Sequence, residues 1–311
     1  MASIFDFFGY RAADESEAAR QAAEQAHCPF LNDRCEKTFN DGTVAGVCSV
    51  KPVNDSAVIC CPVRLYAEDY KILRDVSDAA FTEGLELING LDARSHSQAT
   101  GRRCVAVFGK RWGGELHVPK REGGGKYFVD WILALLDETG QLEEFVAVEV
   151  QTIDTTGTYR DGYELLMAER LIKNTTAGLN WENVNKRILP QLVYKGQVLQ
   201  REEMCKKGLF FVCPEPVYDR IMGRLGGREA LVAYRALQPA ALTFLVYDYA
   251  PGQSYVDGEP LQLAQTEKRT TTVYRLQEAF NNVTLPADDV YTRAIQRALD
   301  KAKQLSLPDS E

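Results

Sequence analysis

The stretch Lys126–Gly157, KYFVDWILALLDETGQLEEFVAVEVQTIDTTG, decides how the rest of the chain is read. Two apolar runs flank a polar turn at Asp137 to Gln141, which is the pattern of a β-hairpin. Each run carries an acid where a core strand should have none, Asp130 inside FVDWILALL and Glu149 inside FVAVEVQT. In the second run the strand period of two puts Phe145, Ala147, Glu149 and Gln151 on one face, with Val146, Val148 and Val150 on the other. A carboxylate buried in a sheet is costly unless it is paired or holds a metal. An acid on one strand, facing an acid-X-polar pair on the next, is a way to hold Mg²⁺ against a phosphate. That hard cation takes carboxylate and phosphate oxygens and keeps several waters, one of which can become a nucleophile. The same acids also suit strand ends, solvated or paired with arginines. The stretch alone leaves both readings open.

The 311 residues are enough to bury a large core, as one big α/β domain or one domain with an appendage. Hydrophobic content of 45% and charged content of 26% are ordinary for a globular protein, and no run approaches the roughly 18 apolar residues of a membrane helix. The start, MASIFDFFGYRAADESEAAR, lacks the basic then apolar pattern of a secretory signal, so a reducing, cytoplasmic setting is the expectation. A net charge of −8 argues against coating nucleic acid by bulk electrostatics. Local basic stretches nonetheless permit contact with a phosphate backbone. Seven Lys/Arg face two Glu between Gly101 and Lys126, and six face three between Glu182 and Lys207.

Near the N-terminus, IFDFFGYR reads as an apolar stub docked on the body, followed by a helix at about 16–26. The next section, HCPFLNDRCEKTFNDGTVAGVCSVKPVNDSAVICCPVR, places five of the eight cysteines within 34 residues among Asn, Asp, Gly and Pro. In a reducing compartment such a cluster favours a metal over disulfides, since four thiolates can hold one tetrahedral ion. Cys28, Cys35, Cys48 and either Cys60 or Cys61 make a set of four, without the CxxC knuckles of common zinc fingers. Cys104 and Cys213 lie in apolar strands and read as small buried hydrophobes.

Helical spacing predicts a helix over 67–88, and CVAVFG reads as a strand before a glycine-rich loop at Gly123 to Gly125. GYELLMAERLIK predicts a helix, and WENVNKRILPQLVYK another, kinked at Pro190. LFFVC and LTFLVYDY read as strands, and a closing helix spans about 288–305. Interleaved strands and helices give an α/β or α+β core.

Taken in order, FFGYR, CPFL, a Cys followed two residues on by Lys, GVC, CPVR, GGEL, the FVDW strand, EVQTIDTTGTY and NVNKRILPQLVYK resemble the NotI-type type II restriction endonucleases of the PD-(D/E)XK superfamily. They span most of residues 5 to 195. The resemblance implies a PD-(D/E)XK nuclease core over 67–311, with a mixed central sheet flanked by helices. A four-cysteine metal-binding element over 1–66 precedes it. Asp130 resembles the first metal-binding carboxylate, and Glu149 and Gln151 resemble a Glu-X-Gln in place of the superfamily's Glu-X-Lys. Glu115 in GGEL resembles a further acid near the metal. Cys28, Cys35, Cys48 and Cys61 resemble four structural iron ligands, with zinc as the alternative, and Cys61 is preferred to Cys60 because it directly precedes Pro62.

The implied activity is Mg²⁺-dependent double-strand cleavage at a GC-rich palindrome such as CGGCCG. It carries with it a homodimer, double-stranded DNA as substrate, a cognate methyltransferase in the same system and no membrane partner. Lys186, Arg187, Arg102 and Arg103 are candidate DNA contacts by charge and position. A structure-selective repair nuclease of the same superfamily is one rival, and a catalytically inactive DNA-binding protein with a structural four-cysteine site is the other.

Overall fold

The computed structural model describes residues 1–114, 116, 129–250, 252, 255–282 and 287–305. The strands longer than two residues are β1 (Ala2–Phe7), β2 (Val47–Pro52), β3 (Leu87–Asn89), β4 (Cys104–Gly109), β5 (Trp131–Leu136), β6 (Leu142–Val150), β7 (Leu209–Pro214), β8 (Ala241–Tyr249) and β9 (Leu263–Thr272). The helices are α1 (Glu17–Glu24), α2 (Ala67–Ala80), α3 (Ala93–Thr100), α4 (Arg160–Glu169), α5 (Leu189–Leu199), α6 (Glu215–Arg224), α7 (Val273–Asn281) and α8 (Val290–Leu305).

The hairpin read from the sequence forms the middle of a seven-stranded sheet, in the order β9-β8-β7-β6-β5-β4-β3. β5 and β6 pair antiparallel from Leu136↔Leu142 to Trp131↔Val148. Their turn is tied by Asp137, whose Oδ1 accepts from the backbone N–H of Thr139 and of Gln141, both at 2.8 Å. The turn closes through Gly140 at φ 78°, where a side chain would be strained. β6–β7 and β7–β8 pair parallel while β9 returns antiparallel, so the sheet is mixed.

The period of two along β6 separates two cores. Val146, Val148 and Val150 join Ile72, Leu73 and Val76 of α2 on one face. Ala147 joins Leu192 and Leu199 of α5, Ile221 of α6 and Leu276 of α7 on the other. Burial of each large side chain in these layers contributes roughly 2 kcal/mol, which is what holds helices of modest intrinsic propensity in place.

A smaller sheet, with β1 antiparallel to β2 and two-residue strands at Tyr10–Arg11 and Val58–Ile59 on its edges, builds the N-terminal part. The apolar stub is thus a strand of its own sheet. The cysteine-rich section contributes β2, hidden in the sequence because VCSVKP carries polar residues on a short run. A fully buried ion pair fastens this part to the main sheet. Arg64 Nε lies 2.7 Å from Asp6 Oδ2, and the Tyr249 hydroxyl at the end of β8 donates to the same oxygen at 3.0 Å.

The helix expected over 67–88 ends at Ala80. Phe81 leaves the helical region at φ −119° and ψ −135°, and Leu87–Asn89 instead forms β3, parallel to β4. Its first turn is also irregular, with Glu68, Asp69 and Tyr70 all at positive φ. The two helices expected after the hairpin are present. Pro190 sits in the first turn of α5, where a π-helical turn over Val184–Ile188 runs into it. α8 is exposed from Val290 to Lys301. Among the described residues no helix is long and apolar enough to cross a membrane.

Candidate active site

Asp130 stands immediately before β5 and Glu149 in the last turn of pleat of β6, so the hairpin register brings both acids to one end of the sheet. Asp130 is exposed, and its Oδ2 accepts from the Val150 backbone N–H at 2.8 Å, which anchors the carboxylate to the neighbouring strand. Glu149 is only 7% exposed. One of its oxygens lies 2.5 Å from Nζ of Lys195, in the middle of α5, while Oε2 is buried with no hydrogen-bond partner. Burial pushes Glu149 up to about 7, the Asp130 charge adds to this, and Lys195 pulls the other way. A buried carboxylate with one oxygen unsatisfied, beside a second carboxylate, is a donor set that fits a hard cation.

Gln151 lies just past the end of β6. Its backbone N–H bonds to Val212 O at 2.9 Å, and its side-chain amide donates to the Thr152 carbonyl at 2.7 Å. In this arrangement the amide brings no positive charge to the acids. The sequence reading missed two neighbours. Lys195 is one, 46 residues from Glu149 and delivered by helix packing. Tyr66 is the other, its hydroxyl accepting from Trp131 Nε1 at 3.3 Å and its ionisation opposed by burial and by the Asp130 and Glu149 charges.

A cavity of about 730 Å³ opens here, with Asp130, Trp131, Tyr66, Arg111 and Lys195 on its walls. Arg111 and Lys110 at its rim both pair with Glu36, the residue after Cys35, so the cysteine-rich segment touches the cavity directly. Of the expected DNA contacts, Arg187 lies 3.4 Å from Asp154, three residues beyond Gln151, and Lys186 lies 3.4 Å from Glu182. Both are exposed near the acid end of the sheet. Arg102 and Arg103 precede β4, whose Cys104 pairs with Leu136, which places them at the opposite end. Arg103 is bound to Glu143 there. Glu115 lies outside the described residues.

The cysteines are all free thiols. Burial raises Cys28 and Cys48 and pushes Cys61 up to about 12. Charge on Cys35 adds to the effect at Cys28 and Cys61, and charge on Cys28 and Cys61 adds to it at Cys48. Cys60 packs into the N-terminal core, with its sulfur 3.2 Å from Lys37 Nζ. Among the described residues no three His, Cys, Asp or Glu side chains are grouped closely enough to hold a metal ion. The donor chemistry of four soft sulfurs suits iron or zinc. The closed cage is not formed. Cys104 and Cys213 are fully buried in their strands, as expected.

Comparison with curated proteins gave no match. A family model described as restriction endonuclease NotI matches residues 8–263, a span that takes in the cysteine-rich segment, both acids and Lys195. The chain belongs to the NotI restriction endonuclease family.

Proposed function

We propose that the chain is a PD-(D/E)XK endonuclease that makes Mg²⁺-dependent double-strand cuts at a GC-rich palindrome of the CGGCCG kind. The single observation carrying this reading is the register that sets Asp130, on the wall of a cavity, beside the buried, half-satisfied Glu149. Restriction endonuclease activity on double-stranded DNA follows from the family.

Asp130 and Glu149 would hold the ion, which when bound supplies Lewis acidity and neutralises charge on the scissile phosphate. The Val150 N–H keeps Asp130 at the strand end. Trp131 and Tyr66 wall the cavity and limit water around the acids. Gln151 donates and accepts hydrogen bonds but adds no charge, so it orients rather than activates. Lys186 and Arg187 are placed to meet the backbone of a duplex at the acid end, and a second copy of the chain supplies the second cut of a palindrome.

Cys28, Cys35, Cys48 and Cys61 hold structural iron, or zinc, in this reading. Cys61 is preferred to Cys60 because the Cys60 sulfur is committed to Lys37. Four thiolates leave no open position, so such an ion shapes the segment instead of catalysing. A restriction enzyme is accompanied by a methyltransferase that protects host DNA, and a prokaryotic cytoplasm is the setting.

Asp130→Ala and Glu149→Ala should each abolish cleavage while DNA binding, followed by gel shift in Ca²⁺, stays within about threefold of wild type. Near-normal cutting by both variants would sink the assignment.

A further inference from the structure

The proposed site contains two carboxylates and a neutral amide, yet phosphodiester hydrolysis builds negative charge on the phosphate. Among the described residues, Lys195 is the cation that reaches the Glu149 carboxylate, while Arg111 and Lys110 on the same cavity pair with Glu36. We propose that Lys195, on α5, supplies the positive charge that Gln151 cannot, acting at the scissile phosphate as a catalytic residue. This rests on the nuclease reading above.

Three observations carry it. Lys195 reaches the Glu149 carboxylate itself, at 2.5 Å, with a side chain only 19% exposed. It lines the same cavity as Asp130, so a phosphate seated against the acids meets the ammonium without rearrangement of the fold. And α5 is held at unusually close range: a Cβ on Gly196 would sit 2.1 Å from Val273 Cγ2 of α7. The neighbouring residue thus has no side chain, and the helix comes in far enough to deliver its lysine.

A purely structural ion pair reads differently elsewhere in this molecule. Lys207 pairs with Glu144 at 2.8 Å on the same strand, at the other end and outside the cavity. Buried pairs of that sort are weak sources of stability, and neither Lys207 nor Glu144 lines the cavity, although Glu144 Oε2 is likewise buried without a partner. Lys195 instead lines the cavity together with Asp130 and joins that wall to the Glu149 carboxylate.

In the reaction a water oxygen bonds to phosphorus as the bond from phosphorus to the leaving sugar oxygen breaks. One proton of the water is given up and the leaving oxygen is protonated, with no net redox change. Lys195 gives up no proton in this scheme. It remains an ammonium, donates hydrogen bonds to the phosphate oxygens, and stabilises the charge that develops on them.

The test uses the full-length protein with Lys195→Met, Lys195→Arg and the double variant Lys195→Met/Gln151→Lys. Single-turnover cleavage is measured at a site first mapped with wild type, and Mn²⁺ binding without DNA is measured by calorimetry. The proposal expects Lys195→Met to cut at least 100-fold more slowly with DNA binding within about threefold. It expects the double variant to recover at least tenfold over Lys195→Met, because the charge is restored from the strand. It also expects Lys195→Met to bind Mn²⁺ several-fold more tightly, since the competing ammonium is gone from Glu149.

Cutting by Lys195→Met within threefold of wild type overturns it. So does cutting by Lys195→Arg as slow as that of Lys195→Met together with no recovery in the double variant, since both restore the charge. If wild type cuts no DNA with any divalent metal, the nuclease reading fails first. Unchanged Mn²⁺ affinity in Lys195→Met would then overturn the charge assignment separately.

Discussion

Glu149 carries a cost that an ordinary strand residue does not. Its carboxyl is held up to about 7, against 4.5 for a free glutamate, chiefly by burial. A raised acid favours the protonated form in the folded state, so its contribution to stability is fully present below about 4.5. It is lost progressively as pH rises to about 7. With metal removed by EDTA, wild type should therefore lose on the order of 3 kcal/mol between pH 4.5 and 7.5 relative to Glu149→Gln. Urea unfolding of both proteins across that window measures the difference, and a flat difference would remove the buried-acid account. The acids were legible in the sequence because a period of two exposes an odd residue in a strand, and because the Glu-X-Gln follows it directly. Lys195 was not. It lay in plain view at the end of NVNKRILPQLVYK, but the sequence favoured Lys186 and Arg187 there, and only the packing of α5 under the sheet singles out the third cation.

At the level of elements, α5 is the part whose placement matters most. Gly196→Ala adds a methyl group 2.1 Å from Val273 Cγ2, so the helix or α7 must shift. That overpacking should cost roughly 1–3 kcal/mol by thermal or chemical unfolding and slow cleavage by displacing Lys195, with Gly196→Ser behaving alike. A variant as stable as wild type would mean the close approach is not required. The hairpin was legible because two long apolar runs and an Asp-Glu-Thr-Gly turn leave little alternative. β9 was not, since LAQTEKRTTT is an edge strand with charged residues facing out, and its pairing with β8 comes from tertiary context. β1 and β2 escaped for a related reason. Polar residues interrupt both runs, ASIFDF and VCSVKP, and the two strands pair with each other across a long intervening segment.

Across the whole molecule, the N-terminal part is bound to the main sheet by buried charge. Arg64 is fully buried, pairs with Asp6, donates to the Leu261 carbonyl, and lies 4.4 Å over the Phe30 ring. Arg64→Met leaves Asp6 without its cation and should destabilise the protein by about 3–5 kcal/mol, read by urea unfolding, whereas Asp6→Asn/Arg64→Met together should cost less than their sum. The contact of Glu36 with Arg111 and Lys110 joins the cysteine segment to the cavity rim. Iron or zinc should accordingly appear at about one ion per chain by elemental analysis, and its removal by chelator should lower the thermal midpoint while loosening DNA binding. Protein with neither metal and unchanged stability would end the four-cysteine account.

The most direct measurement incubates the purified protein with long, unmethylated, GC-rich DNA in Mg²⁺ and in EDTA, resolves the fragments on a gel, and sequences their ends. The account predicts discrete fragments in Mg²⁺ alone, all ending within one palindromic sequence, and none from Glu149→Ala. DNA that is bound but left whole with every divalent metal would contradict it, and would make Asp130 and Glu149 remnants of a binding protein.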